Sequence, residues 1–353
     1  MRERKSVPSW TIGAVALAIV TVVVFSSAWA SGLGWARSSN AGPTSEAPLQ
    51  VASSLKTPCV TGYSPQFPVY DPVDHDIYVP NYNSANISVF TEACKSVGII
   101  TLAAHADPVA GVFDPQNDYL YVTDCGLNKV YLIQGLTVES SITDPSLSCP
   151  WIPTYDPENT YVIVPNSGSN TITVLNGNIV EKALEVGTGP TSVDYDPVDA
   201  FEPSQYTGIV VVANHQSDNL TVLLASNLTH LWDDTVGGAP YQVIYDPASL
   251  SDVYTLPGSG QVGFLQDFTT VNVGKNPMGI VFDQATLSDF VVCSGSHNVW
   301  EITDLGAVTH FELPSSVVPI GIAYSDANNN LYITAGGTGF SGPSYGYLYP
   351  SSK

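Results

Sequence analysis

The chain has 353 residues, only 12% of them charged, and its formal net charge at pH 7 is −22. Residues 49–353 carry 30 acidic side chains and 6 basic ones. Because nucleic-acid binding depends on basic patches that neutralise phosphates, this balance argues against a nucleic-acid partner. An acidic surface suits cations, basic proteins or an acidic environment instead.

The first 30 residues form a separate unit. Residues 1–9 are mostly basic, and Trp10–Ala30 contains 21 residues without a charge. That length lets a helix cross a bilayer, whereas Ala28-Trp29-Ala30 fits the small-x-small site of a cleaved signal peptide. Both interpretations, a transmembrane anchor or a signal helix cleaved near Ala30, place the rest of the chain outside the cytoplasm. Residues 31–48 are rich in Ser, Gly, Pro and Ala and predict a flexible linker.

Residues 49–353 contain one motif seven times, an aromatic residue followed by aspartate, with a proline five positions before the aromatic. The aromatic residues are Tyr70, Phe113, Tyr155, Tyr195, Tyr245, Phe282 and Tyr324, the last in the looser form Tyr-Ser-Asp. The prolines are Pro65, Pro108, Pro150, Pro190, Pro240, Pro277 and Pro319. A period near 40 residues is typical of a propeller or a solenoid.

The content of each unit favours a propeller blade. The aspartate starts a turn, since Asp-Pro favours a type I turn, and short β-rich segments with polar turns follow. No unit shows a 3.6-residue apolar period, so we predict an all-β fold, a seven-bladed β-propeller of four-stranded antiparallel blades over residues 49–353. The last unit lacks an outermost strand. Because an open sheet edge invites aggregation, residues 49–56 are expected to pair there and close the ring.

The segments "YVPNYNSANISVF", "YVTDCGLNKVYLI" and "GPTSVDYDP" resemble the YVTN family of β-propeller repeats, and the resemblance covers residues 63–349. It implies an archaeal-type cell-surface protein, a group that includes surface-layer-associated and adhesin-like chains. The fifth and seventh units depart from the motif with "YTLP" and "YITA", so no functional site is carried over from the family.

The five cysteines contain no Cys-x-x-Cys pair, which argues against a zinc ribbon or a c-type haem site. Cys125 and Cys149 are placed on one face of the propeller and are predicted to form a disulfide, which a chain outside the cytoplasm permits. A Cys59–Cys94 bond is a weaker alternative, because their loops are placed towards opposite faces. Cys293 is expected to be a small buried apolar side chain.

Three sequons, at Asn86, Asn219 and Asn227, are candidate N-glycosylation sites in an exported chain, although such short motifs also arise by chance.

A ring of polar residues is predicted where the second strands end, on one face of the propeller. Its members are Asn81, Asp124, Asn166 and Asn214, with His215 and His297 in the turns that follow. These residues predict a possible ligand site, but Asn and Asp also stabilise turns by bonding their own backbone. The acidic turns at 71–76 and 326–330 offer oxygen ligands for calcium without the full loop pattern, so no metal is assigned.

A search for catalytic motifs finds no His-Glu-x-x-His and no Gly-x-Ser-x-Gly. The glycine-rich stretch 337–342 lacks the following helix that a dinucleotide site needs, and no cofactor is predicted. We therefore expect a tethered or secreted cell-surface binding module for proteins or glycans, or for envelope assembly. A propeller enzyme that uses the central channel, such as a lactonase-like hydrolase or a metal- or haem-dependent oxidoreductase, and a purely structural surface-layer component are the alternatives.

Overall fold

The computed structural model describes residues 57–198, 208–303, 306, 308–336 and 345–351. The predicted leader, the linker and the segments 49–56 and 337–342 lie outside the described residues. Within the described ranges the only helix is a 3₁₀ turn at Tyr82–Ser84, and no helix there has the length and apolar character of a membrane span.

Six four-stranded antiparallel sheets each come from one continuous stretch of chain, and we number them as blades 1 to 6. Blade 1 consists of β2 (Val69–Asp71), β3 (Asp76–Asn81), β4 (Asn86–Thr91) and β5 (Ser96–Thr101). Blade 2 consists of β6 (Pro108–Asp114), β7 (Tyr119–Asp124), β8 (Lys129–Gln134) and β9 (Thr137–Thr143). Blade 3 consists of β10 (Thr154–Asp156), β11 (Tyr161–Asn166), β12 (Thr171–Asn176) and β13 (Ile179–Glu185).

The next three blades repeat the same arrangement, with the first strand innermost and the fourth outermost. Blade 4 consists of β14 (Pro190–Asp196), β15 (Ile209–Asn214), β16 (Asn219–Leu224) and β17 (Thr229–Thr235). Blade 5 consists of β18 (Val243–Asp246), β19 (Ser251–Leu256), β20 (Gln261–Phe264) and β21 (Thr269–Asn272). Blade 6 consists of β22 (Pro277–Asp283), β23 (Ser288–Cys293), β24 (Asn298–Thr303) and β25 (Val308–Glu312).

The remaining sheet, which we call the closing sheet, joins the two ends of the described chain. It consists of β26 (Val318–Ser325), β27 (Asn330–Gly336), β28 (Tyr345–Ser351) and β1 (Cys59–Tyr63), in that order from the inside outwards. β1 runs antiparallel to β28, with Cys59 opposite Leu348 and Tyr63 opposite Tyr345.

The predicted fold class therefore needs correction. Seven sequence units do not give seven self-contained blades: six sheets are continuous, and the last three strands complete a sheet only with β1. The strand that closes the ring is Cys59–Tyr63 rather than the expected 49–56. The predicted helix before the propeller falls outside the described residues. The closing strand was misplaced because its position depends on pairing with β28, a partner more than 280 residues away in the chain.

Apolar clusters between neighbouring sheets hold the ring together. Between blades 1 and 2, for example, Tyr78 and Ile87 pack with Leu120 and Val122. Between the closing sheet and blade 1, Tyr332 and Leu348 pack with Ile77 and Val79. Every pair of neighbouring sheets shares such a cluster, so burial of strand side chains is the main stabilising contribution.

The repeated aspartate fixes the turn between the first and second strands. The side-chain oxygen of Asp71 accepts the backbone N–H of Val73 at 2.8 Å, and Asp114 accepts that of Gln116 at 2.9 Å. Asp156, Asp196, Asp246 and Asp283 make the same bond, two residues on, at 2.7–2.9 Å. All six carboxylates are buried, and in each sheet this side-chain bond stabilises the turn.

The strands define two faces of the propeller. The Asp-turn face carries the turns between first and second strands and between third and fourth strands. The connection face carries the turns between second and third strands and the connections from one sheet to the next. Since strand direction alternates in an antiparallel sheet, each blade places the same kinds of turn on the same face.

Two disulfides lie on opposite faces. The predicted Cys125–Cys149 bond is present and joins the turn after β7 to the connection between blades 2 and 3. The Cys59–Cys94 bond is present too, which corrects the placement of these residues on opposite faces. Cys59 starts β1 on the Asp-turn face, where Cys94 lies in the turn between β4 and β5, so the bond joins the closing sheet to blade 1. Cys293 is buried with a free thiol, as predicted.

A buried carboxyl interrupts the apolar interface between blades 5 and 6. Asp289 lies opposite Phe282, at a position that is aliphatic in five other sheets. The aliphatic residues are Ile77, Leu120, Val162, Val210 and Leu331. The Asp289 side chain is 2% exposed and its Oδ1 has no hydrogen-bond partner. Burial, assisted by the nearby Asp246 charge, raises the pKa of Asp289 to about 8.

The Cys59–Cys94 bond predicts a specific effect on ring closure. Replacing both residues by serine should lower the free energy of unfolding by about 2–4 kcal/mol, because the bond no longer restricts the unfolded chain. Amide hydrogen exchange in β1 and β28 should accelerate, since β1 loses its covalent link to blade 1. The matched control, serine at both Cys125 and Cys149, should leave exchange in β1 unchanged. Equal acceleration in the two double variants would contradict this role.

Asp289 predicts a fall in stability with rising pH. Between the unfolded pKa of about 3.9 and the folded pKa of about 8, the folded state keeps a proton that the unfolded state releases. The protonated Asp289 therefore contributes on the order of 5 kcal/mol to the free energy of unfolding at low pH. This contribution falls as pH rises between the two pKa values and is absent above the folded pKa of about 8. Asp289→Leu, the residue type found in other sheets, should flatten the pH dependence of chemical denaturation. Exposed Glu139→Gln should retain the wild-type slope, and a wild-type slope in Asp289→Leu would refute the assignment.

Candidate functional site

The predicted polar ring lies at the ends of the second strands, but its side chains point into the blades. Asn81, Asp124, Asn166 and Asn214 each have 0% exposure. The Asn81 Nδ2 donates to Asn86 Oδ1 and Ser88 Oγ at 2.8 and 2.9 Å, and Asn214 Nδ2 donates to Thr221 Oγ1 at 2.9 Å. These amides tie the second strand to the third, which is a structural use of the polar groups.

Asp124 and Asn166 bond the backbone of neighbouring segments in a similar way. Asp124 Oδ1 accepts the N–H groups of Asp107 and Gly126 at 2.8 and 3.0 Å. Asn166 Oδ1 accepts the Ser148 N–H at 3.4 Å, and Asn166 Nδ2 also donates to the Thr173 side chain, with 2.8 Å to Oγ1. The four members of the ring therefore hold the turns and connections of their own blades.

The two histidines are half-buried and lie on different blades, separated by blade 5. His215 Nδ1 is 3.0 Å from the Ala239 carbonyl oxygen, and His297 Nδ1 is 2.8 Å from that of Val317. A carbonyl only accepts, so Nδ1 carries the proton in each ring. Each histidine thus secures the connection to the next sheet, and the structure does not bring the two together.

The central channel is filled by aromatic rings at the connection face. Phe67 of blade 1 and Tyr241 of blade 5 approach to 6.1 Å between ring centroids, across the ring of sheets. Trp151 and His215 both meet the Tyr241 ring edge-on, at 5.7 and 5.6 Å. Met278 adds to this cluster, which we call the aromatic plug, and burial raises the pKa of the Tyr241 hydroxyl. The ring predicted from sequence therefore surrounds a closed end of the channel.

The open space lies on the other side of the plug. An inner cavity of about 230 Å³ runs along the innermost strands of blades 1 to 5 and of the closing sheet. It adjoins a wider mouth of about 580 Å³ on the Asp-turn face, and both spaces are lined by Pro68, Gln242, Ile244 and Ile322. Small-molecule sites are typically concave, largely apolar and about 300–1,000 Å³ in volume.

One charged side chain, Asp194, lies among the described residues that line the inner cavity. Its Oδ1 accepts the Thr154 hydroxyl at 2.7 Å, and its Oδ2 accepts the Tyr245 N–H at 2.6 Å. The carboxylate thus joins the innermost strands of blades 3, 4 and 5. Burial raises the pKa of Asp194, and the hydrogen bonds from neutral donors oppose that rise only in part.

Aromatic residues of the repeat surround the mouth. The ring residues that line it are Tyr70, Phe113, Tyr155, Phe282 and Tyr324. Asp326 is the one charged residue in the described lining of the mouth. The repeat in the sequence identified these aromatic positions but did not predict that they line a mouth.

A comparison between repeats would have revealed Asp194. It stands immediately before the aromatic of the fourth unit, in "GPTSVDYDP". The equivalent residues of the other units are Val69, Val112, Thr154, Ile244, Val281 and Ala323. A single carboxylate at an otherwise uncharged position on the innermost strand is the signal that the sequence offered.

The three sequons differ in exposure. Asn227 is exposed in the turn between β16 and β17, with its Oδ1 bonded to the Thr229 N–H at 2.8 Å. Asn86 and Asn219 are half-buried, and their Oδ1 atoms accept hydrogen bonds from Asn81 and Ser217. Glycosylation stays a prediction, with Asn227 the most accessible acceptor.

The acidic turns at 71–76 and 326–330 offer oxygen atoms for calcium, but no metal was assigned to them. Among the described residues, no group of three or more His, Cys, Asp or Glu side chains is placed to hold a metal ion. In the turn at 71–76, the Asp71 carboxylate accepts backbone N–H groups, and Tyr70 Oη lies 2.7 Å from His75 Nδ1.

Solved structures with the same architecture are β-propellers with low sequence identity. A streptogramin B lyase matches with a TM-score of 0.70 at 11% identity, covering 86% of this chain and 100% of its own. A catalytically inactive histidine-to-alanine variant of virginiamycin B lyase from Staphylococcus aureus with quinupristin matches with a TM-score of 0.67 at 13% identity, covering 83% and 98%. Hydrazine synthase of Kuenenia stuttgartiensis gives 0.61 at 14%, covering 78% and 93%.

No protein-family model matches the sequence, and comparison with curated proteins finds no relative. At these identities the solved structures establish the β-propeller fold alone. The YVTN likeness accordingly rests on the repeat residues themselves.

Proposed function

We propose that this protein is a binding module outside the cytoplasm and that its ligand site is the inner cavity with its mouth on the Asp-turn face. The observation that supports it is the pair of adjoining spaces along the innermost strands, which share four lining residues and lie next to the aromatic plug. Rigid strands line these spaces, so a ligand would meet a preformed site at little ordering cost.

The disulfides and the predicted leader support the proposed location. Two disulfides are typical of an oxidising compartment outside the cytoplasm. We further propose that the propeller is a YVTN-type surface protein, held at the membrane by the segment Trp10–Ala30 or released after cleavage near Ala30. Its surface partner, a protein or a glycan, belongs to the same proposal. A purely structural place in a surface layer is an alternative to it.

An enzyme that uses the same cavity is the second candidate. Asp194 favours it, because a carboxyl whose pKa is raised by burial inside a cleft is suited to hold or accept a proton. Thr154 and Tyr245 fix the orientation of both its oxygens. This candidate predicts that a bound molecule is chemically changed, which mass spectrometry of the recovered ligand would detect.

The site is tested by blocking the junction of the cavity and its mouth. Ile244 is half-buried and lines both spaces, so Ile244→Trp should fill the junction. Ile99 is 64% exposed on the outermost strand of blade 1, which makes Ile99→Trp the matched control. Saturation-transfer NMR with 2-phenylethanol, phenethylamine and phenylacetate should detect binding of at least one to the wild type and to Ile99→Trp.

Ile244→Trp should abolish that signal, provided that its melting temperature shows a folded protein. Failure of all three probes to bind the wild type, or unchanged binding in folded Ile244→Trp, would overturn the proposed site.

A further inference from the structure

We infer that the cavity accommodates an organic monocation, with its ammonium group beside the Asp194 carboxylate and its apolar part against the aromatic mouth. This inference rests on the proposed function, since it names the ligand class of the same site.

The Asp194 carboxyl in the inner cavity has only neutral hydrogen-bond donors around it. These donors are the Thr154 hydroxyl and the backbone N–H groups of Tyr195 and Tyr245. A carboxylate has about four acceptor positions, so three bonds leave capacity for a further donor. A cationic donor would satisfy that capacity and neutralise the charge, which makes its hydrogen bond stronger than one from a neutral group.

Cationic side chains are absent from the described lining of the cavity and of the mouth. No arginine occurs in the described ranges, and no lysine or histidine lines the cavity or the mouth. The described lysines are Lys95, Lys129, Lys182 and Lys275, all outside the innermost strands. His75 lies in the first turn of blade 1 and bonds Tyr70, but it is exposed among Asp74, Asp76 and Glu92.

The mouth is lined by aromatic rings, which suit a cationic ligand. The faces of aromatic rings attract cations, and five rings of the repeat line the passage that leads to Asp194. Asp326 adds a second acidic group at the mouth. Charge of one sign around a concave, low-dielectric passage concentrates counter-ions there. An organic anion is disfavoured by the same field.

The ligand class is tested by three probes that differ mainly in charge. Phenethylamine is the cation, 2-phenylethanol its neutral counterpart and phenylacetate the anion. Calorimetric titration of the purified full-length chain should show phenethylamine binding about tenfold more tightly than 2-phenylethanol, as expected for a charge-assisted bond. Phenylacetate should show the weakest binding.

Two variants assign the preference to Asp194. Asp194→Asn should reduce phenethylamine affinity to the level of 2-phenylethanol, whereas exposed Glu139→Gln should not change it. Retained binding of 2-phenylethanol shows that Asp194→Asn is folded. In the wild type, acidification through the raised pKa of Asp194 should remove the preference for the amine without any substitution.

The outcomes separate the two proposals. If the alcohol binds as tightly as the amine, or if Asp194→Asn and acidification both leave the preference intact, the cation inference is wrong and the cavity is an apolar site. If none of the probes binds, both the ligand class and the proposed site fail.

Discussion

Pairing between β1 and β28 is the constraint on which the rest of the molecule depends. It brings a strand from the start of the described chain to the last three strands and leaves a closed ring of sheets. Closure forces the innermost strands towards one axis, where Phe67 and Tyr241 meet from opposite sides. The plug and the cavity are therefore consequences of ring closure, and the Cys59–Cys94 bond secures the strand that achieves it.

Local repetition made much of the fold predictable, and long-range geometry limited the prediction of the site. The repeat located the turns because each aspartate bonds its own backbone two residues on, a purely local interaction. The closing strand depends on a distant partner, so the repeat indicated a strand before the first unit but not its residues. The polar ring was located correctly along the chain, but the side chains of Asn81 and Asn214 turn into their blades.

The residues that determine which end of the channel is open vary between repeats. The plug is built from the first two positions after the repeated proline, where Trp151, Tyr241 and Phe67 are large and Gly279 and Gly321 are small. Only the assembled ring shows that the large ones meet. Asp194 was available from the repeat alignment, but its importance appears only with the cavity that it lines.

The same scarcity of cations shapes stability and recognition. The described ion pairs involve histidines at exposed or half-exposed positions, and no lysine or arginine lies close enough to lower the pKa of Asp194 or Asp289. At the interface of blades 5 and 6, the lack of a cationic partner makes Asp289 costly to ionise. In the cavity, the same lack leaves Asp194 available to a cation from solution.

A crystal structure of the protein with phenethylamine would test the account most directly. We predict ligand density inside the cavity. The amine nitrogen should lie within hydrogen-bond distance of an Asp194 oxygen, and the phenyl ring of the ligand should lie near the aromatic mouth. Density on the connection face, among His215, His297 and the ends of the second strands, with an empty cavity, would contradict it.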